Sequence, residues 1–130
     1  MHELECGFCK LITNLPTQRD QLKIIYESDG IIAFHSTMPF AEVHIVIITK
    51  RHIPTIFDFN VEDDDLKLEF LSVIKIASQE VINLKGACKV EMYLGSFQQI
   101  KRKRKTIRLM IKLTPLLSVA WFPTFFRKTF

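Results

Sequence analysis

Apolar and polar positions change their period several times along the chain, and each change marks a predicted element. From Cys6 to Asn14, Phe8, Leu11 and Ile12 fall at helical spacing, and Pro16 is the expected stop. Two runs of strand formers, Lys23–Glu27 and Ile31–His35, flank Ser28-Asp29-Gly30; Asp-Gly between such runs predicts a hairpin. A third strand is predicted at Val43–Ile48, where five β-branched residues surround His44. From Asn60 the period lengthens. Glu62-Asp63-Asp64-Asp65 suits the positive end of a helix dipole. Leu66, Phe70, Val73, Ala77 and Val81 then recur every three or four residues as one apolar stripe. Lys85-Gly86 supplies a last-turn cation and a terminating glycine, and Lys89–Leu94 returns as a strand. The fold class is α+β: a mainly antiparallel sheet with one long helix and a short N-terminal helix.

Charge divides the chain in a way the hydrophobic pattern does not. At 130 residues it has the length of one domain, and 48% hydrophobic content excludes wholesale disorder. The formal charge of +4 conceals two unlike parts. Residues 1–99 hold nine Lys/Arg against fourteen Asp/Glu, whereas residues 100–130 hold nine Lys/Arg, no acid and no glycine. The expected organisation is a body over 1–99 and a divergent basic, aromatic segment over 100–130. The five consecutive cations Lys101-Arg102-Lys103-Arg104-Lys105 suit a solvated loop, a nuclear-localisation segment or a phosphate contact. No regularly spaced aromatics accompany them to stack on bases, so nucleic acid is not the expected partner. Trp121, Phe122, Phe125 and Phe126 form an apolar surface that has to pack on the body or on a partner.

The uncharged stretch from Leu113 to Phe126 covers 14 residues and is broken by Pro115 and Pro123. A spanning helix needs about 20 apolar residues, so no membrane span is expected. Met1–Cys6 has neither a positive n-region nor an apolar run, which argues against a secretory leader. The expected location is cytoplasmic, nuclear or both, with the three cysteines as reduced thiols or metal ligands. Cys6-x-x-Cys9 is the strongest metal signal, although two thiols flanking Phe8 in a core would look the same.

An ordered set of segments carries a family resemblance. Cys6-Gly7-Phe8-Cys9-Lys10-Leu11, Ile25–His35, Pro39–Ile48 and Lys50-Arg51-His52-Ile53, with their spacings, resemble the histidine-triad (HIT) superfamily, nearest its Hint-type nucleotide-binding branch. The resemblance covers residues 4–95. It implies a two-layer α+β protomer, usually a homodimer, that binds a purine nucleotide such as AMP and hydrolyses phosphoramidate or phosphoanhydride bonds. Phe8, Leu11, Phe34 and Thr37 match positions that sandwich the base, and His35 matches a pocket-lining position. Ser36 stands where an acid usually grips the ribose, and His44 matches the supporting histidine. In zinc-bearing members Cys6 and Cys9 are joined by the histidine matching His52 and by the first triad histidine.

The family's chemistry resides in a His-x-His-x-His strand whose middle imidazole attacks the α-phosphate. This sequence has no histidine after His52. Two explanations stay open. In one, Thr106–Leu113 is the triad strand, with Arg108, Met110 and Lys112 on its polar face in place of the imidazoles. In the other, the segment beyond Gln99 is foreign to the family, for instance a shifted reading frame. Either way the resemblance implies impaired hydrolase activity and a zinc site with three of its four ligands, since Arg108 cannot coordinate. The competing expectation is a non-enzymatic interaction protein that uses the basic run and aromatic tail as its surface.

Overall fold

A computed structural model of the chain describes residues 7–36, 43–95 and 110–115. Its framework is an antiparallel sheet in the order β1-β2-β3-β5-β4. The strands are β1 (Ile24–Glu27), β2 (Ile31–His35), β3 (Ile45–Thr49), β4 (Lys89–Met92) and β5 (Met110–Thr114). The basic run, residues 106–109 of the predicted last strand and the aromatic tail lie outside the described residues.

The N-terminal periodicity produces α1 (Gly7–Thr13), but Pro16 does not end the helical region. It opens α2 (Leu15–Gln18), where proline in the first turn sacrifices only an N–H that would have no intrahelical acceptor. The predicted hairpin forms, with Glu27 opposite Ile32, Tyr26 opposite Ala33 and a bulge between Ile24 and Tyr26. Its turn is not the tight Asp-Gly kind, because Gly30 does not adopt a positive φ. Instead Ser28 Oγ accepts from the Gly30 and Ile31 N–H groups, each at 3.2 Å, and the Ser28 N–H donates to the Ile31 carbonyl at 2.8 Å. Gly30 serves close approach: a Cβ there would lie 2.9 Å from Leu66 Cδ1 on the long helix.

That helix, α3 (Asp64–Lys85), follows a single 3-10 turn at Val61–Asp63. Asp63 Oδ2 accepts from the Asn60 N–H at 2.8 Å and its Oδ1 accepts from Arg51 at 2.8 Å, fastening the helix start to the exit of β3. Gly86 ends the helix at φ +84°, its N–H donating to the Ile82 carbonyl at 2.7 Å. The predicted stripe lands as expected: Phe70, Val73, Ala77 and Val81 are buried, and Leu66 packs beside them. They lie against Ile31, Ala33, Ile45, Ile47, Ile111 and Leu113. Each fully buried aliphatic here contributes about 1.5–3 kcal/mol. The other sheet face carries a smaller apolar cluster, Ile32, Phe34, Val46 and Ile48, covered by Phe8, Leu11 and Ile12 of α1 and by Leu15. Among the described residues no helix is long and apolar enough to cross a membrane.

Candidate functional site

Strand alternation sorts the predicted site residues before any side chain is considered. In β2 the odd positions Ile31 and Ala33 face α3, while Ile32 and Phe34 face α1. In β3 Ile45 and Ile47 face α3, while Val46 and Ile48 face α1. Continuing outward, Ser36 and His44 fall on the α1 face, and the Ser36 N–H donates to the His44 carbonyl at 2.7 Å. The same face therefore carries Phe8, Leu11 and Phe34 in one apolar cluster and, beside it, Ser36 and His44. His35 does not join them. It shares the face of Ile31 and Ala33, and burial lowers its pKa, helped by Lys23 and opposed by Glu80 of α3.

The polar half of the site is built where β3, β5 and β4 meet. Val46 and Glu91 both lie directly opposite Lys112, one from each neighbouring strand, so all three share the α1 face. Lys112 is 4% exposed. Its Nζ donates to the Tyr93 hydroxyl, stands 4.6 Å from that ring's centroid and lies 3.9 Å from Glu91 Oε1. Thr114 stands opposite Lys89, and its Oγ1 is buried with no hydrogen-bond partner among the described residues.

His44 senses the charge of Lys112. Burial pulls the His44 pKa down to about 4; the Lys112 charge adds to the fall and Glu91 opposes it. His44 is therefore a neutral imidazole near neutral pH. Burial also lowers the Lys112 pKa, Glu91 opposing and Lys89 assisting. The cluster thus offers a desolvated amine, a neutral imidazole, a phenol and a carboxylate on one wall. Glu91 was not among the predicted site residues, and Tyr93 stands where the resemblance calls for an asparagine beside the phosphate-side loop. The signal for Glu91 was available in its alternation with Tyr93 along a strand that pairs with Lys112.

The second constellation is at the opposite end of β3. Cys9 on α1 and His52, three residues beyond β3, converge with Sγ 2.9 Å from Nδ1. Cys88 stands apart, its thiol pKa raised by burial and its Sγ 3.7 Å from the Lys89 carbonyl. Among the described residues no three His, Cys, Asp or Glu side chains gather as a metal cage. Cys6, Thr37 and Arg108 lie outside the described residues, as does the Met110 side chain; the Met110 backbone pairs with Ile48 in the sheet.

Comparison with known proteins assigns this architecture. The model of the family described as "Scavenger mRNA decapping enzyme C-term binding" matches residues 5–109. An uncharacterized HIT-like protein of Rickettsia prowazekii, RP317, is 35% identical over 89 residues, 66% of this chain and 70% of that protein. The bifunctional adenosine 5'-phosphosulfate phosphorylase/adenylylsulfatase HINT4 of Arabidopsis thaliana is 35% identical over 63 residues. That stretch is 48% of this chain and spans only 40% of HINT4. In fold, the chain is similar to the crystal structure of a HIT family hydrolase from Legionella pneumophila, with a TM-score of 0.65 at 24% identity. The alignment covers 91% of this chain and 98% of that one. With the five-stranded antiparallel sheet, the single long helix and the short α1 all in place, the chain belongs to the histidine-triad superfamily, in the family of the scavenger decapping enzyme C-terminal domain.

Proposed function

We propose that the chain binds the AMP portion of a purine nucleotide on the α1 face of the sheet, as Hint-type proteins do, and is a severely impaired phosphoramidate hydrolase. The observation that carries this reading is the composition of β5. Met110 and Lys112 lie opposite Ile48 and Val46 in a central strand. There the resemblance calls for the attacking imidazole and its neighbour. A thioether cannot accept and release a phosphoryl group at neutral pH as an imidazole does. Nucleotide binding is supported by the family and by the partly buried Phe8 and Leu11, which pack over Phe34 on the α1 face. Ser36 contributes a neutral hydrogen bond where a carboxylate would grip the ribose more strongly. HINT4 is described as acting on adenosine 5'-phosphosulfate. The substrate class to test is therefore adenosine 5'-phosphate bearing an amine or sulfate on the α-phosphorus.

Calorimetry with AMP and AMP-release assays on both compounds test the reading. Saturable AMP binding is expected, with release on the order of 10³-fold or more below what an intact imidazole nucleophile gives. Multiple turnover that disappears in His44→Ala would overturn the impairment and name His44 as an unforeseen nucleophile. Absence of AMP binding would overturn the nucleotide reading itself.

A structural zinc ion belongs to the same proposal, supported by the 2.9 Å approach of Cys9 Sγ to His52 Nδ1. Cys6, three residues ahead of Cys9, is the natural third ligand, and the position matching the fourth is Arg108. Tetrahedral zinc wants four donors, so the expected result of metal analysis is substoichiometric zinc that chelators remove readily. One firmly held zinc per chain would require a further ligand, and no zinc would leave the pair as a thiol–imidazole contact. A homodimer is likewise proposed, supported by the place of β4 at the edge of the described sheet with Val90 exposed and by exposed Leu68 and Leu71 on α3.

A further inference from the structure

The row of residues that crosses the sheet at Lys112 ends on a carboxylate. Phe34 lies opposite Val46, Val46 opposite Lys112 and Lys112 opposite Glu91. One row on the α1 face therefore runs from the apolar cluster around Phe34 to Glu91. Neighbouring strands are about 4.8 Å apart, which puts the acid a single strand beyond Lys112. Glu91 Oε1 lies 3.9 Å from Lys112 Nζ and 3.6 Å from Lys89 Nζ, and Lys89 alternates onto the same face. The Glu91 side chain keeps 29% of its exposure, so it is not sealed behind the two lysines. Two ammonium groups against one carboxylate leave this patch a single net positive charge; the Tyr93 phenol and the neutral His44 add none. A wall made only to hold phosphate has no use for that acid, because it weakens the grip of both lysines on any incoming anion. A like charge built beside a binding site instead discriminates between ligands.

Resting on the nucleotide reading above, which seats the α-phosphorus against β5 at Met110 and Lys112, we propose that Glu91 is a specificity residue that filters ligands by the charge on that phosphorus. The class it favours is an adenosine 5'-phosphate whose α-phosphorus is esterified or amidated and so carries one negative charge. The class it disfavours is AMP, which carries two above a pH of about 6. The single net positive charge of the patch meets the first. The second charge of AMP finds no further cation there and faces the Glu91 carboxylate. Glu91 touches no reacting atom in this scheme; it acts by sharing Lys112 and Lys89 with the ligand.

Calorimetry on the full chain, at a pH of about 8, compares AMP with its methyl ester, which has the same base, ribose and phosphorus but one charge fewer. The ester is expected to bind about fivefold more tightly than AMP. Glu91→Gln keeps the shape and removes the charge, and is expected to close that gap by tightening AMP more than the ester. Lys89→Met leaves Glu91 to Lys112 alone and is expected to widen it. A merely structural role for Glu91 would weaken both ligands together and leave their ratio unmoved. The wild-type ratio and Lys89→Met decide the matter even where Glu91→Gln does not fold. Equal binding of ester and AMP by the wild type, or a ratio that either variant leaves unchanged, overturns the proposal while the nucleotide reading stands. Binding of neither ligand overturns both.

Discussion

The two faces of the sheet are made by the same strands, yet they were built under different constraints. On the α3 face, Ile31, Ala33, Ile45, Ile47, Ile111 and Leu113 meet Phe70, Val73, Ala77 and Val81, with the polar Thr49 and His35 at the two ends of the strands. On the α1 face, one step along each strand, Phe34, Val46 and Ile48 give way to His44, Lys112 and Thr114, all buried. The first face is a packing surface that any set of well-fitting aliphatics would satisfy. The second holds groups whose burial costs free energy, and such groups persist where chemistry or binding needs them. The candidate site therefore lies on the face that is costly to build, and the other face is mainly packing.

The sharpest way to break this contrast is to exchange the characters of the two faces. Ile47→Lys puts an unpartnered ammonium into the α3 face and is expected to cost about 4 kcal/mol or more, enough to unfold the chain. Lys112→Met removes an ammonium from the α1 face and is expected to change stability by no more than about 1 kcal/mol, because Glu91 and Tyr93 retain access to water. Denaturant unfolding of the two variants checks the pair, and equal losses would erase the distinction.

A smaller effect isolates His44. Its folded pKa, about 4, lies below the ordinary value of 6.5, so the folded state holds the neutral imidazole while the unfolded chain protonates. The associated stability is present above pH 6.5 and is lost as pH falls toward 4, by up to about 3 kcal/mol. His35, also lowered, adds in the same direction. Glu27, held at about 2 by Arg19 and Lys50, acts in a lower window, from 4.5 downward. His44→Gln should flatten most of the loss between pH 6.5 and 4, and an unchanged pH profile would mean that His44 is not desolvated in solution.

The smallest expected effect sharpens the packing side. In Gly30→Ala the new Cβ would meet Leu66 Cδ1 at 2.9 Å, so α3 has to yield slightly. A loss of about 1 kcal/mol is expected in thermal or denaturant melts, part of the clash being offset by the stiffer unfolded chain. A gain in stability would mean that Leu66 rotates away freely and that the turn, not the contact, set the glycine.

Periodicity was enough to determine the elements. A stripe every three or four residues admits only one helical face to the core, so Phe70, Val73, Ala77 and Val81 could be assigned to it without coordinates. Alternation of period two likewise placed Met110 and Lys112 on one side of a strand, and the described part of that strand, Met110–Thr114, forms in the sheet. Local chemistry was legible where it is local: glycine tolerates the left-handed φ of Gly86, at which the chain leaves α3 while the Gly86 N–H still bonds the Ile82 carbonyl. Pro16 shows the limit, since the same missing N–H that stops one helix is harmless at the start of the next.

What the chain order could not determine is which strands become neighbours, and the site depends on that. His35 follows Phe34 in sequence but lies on the other side of the sheet, because consecutive strand residues point to opposite faces. Lys112 and Glu91 are 21 residues apart, and only the β4–β5 register sets them opposite one another. Cys9 reaches His52 because α1 folds back across the sheet to the exit of β3. Side-chain pattern is a property of a few successive residues and survives in the sequence. Desolvation, registry and the meeting of distant charges are properties of the packed chain, and they turn an ordinary lysine into a buried amine beside a neutral imidazole.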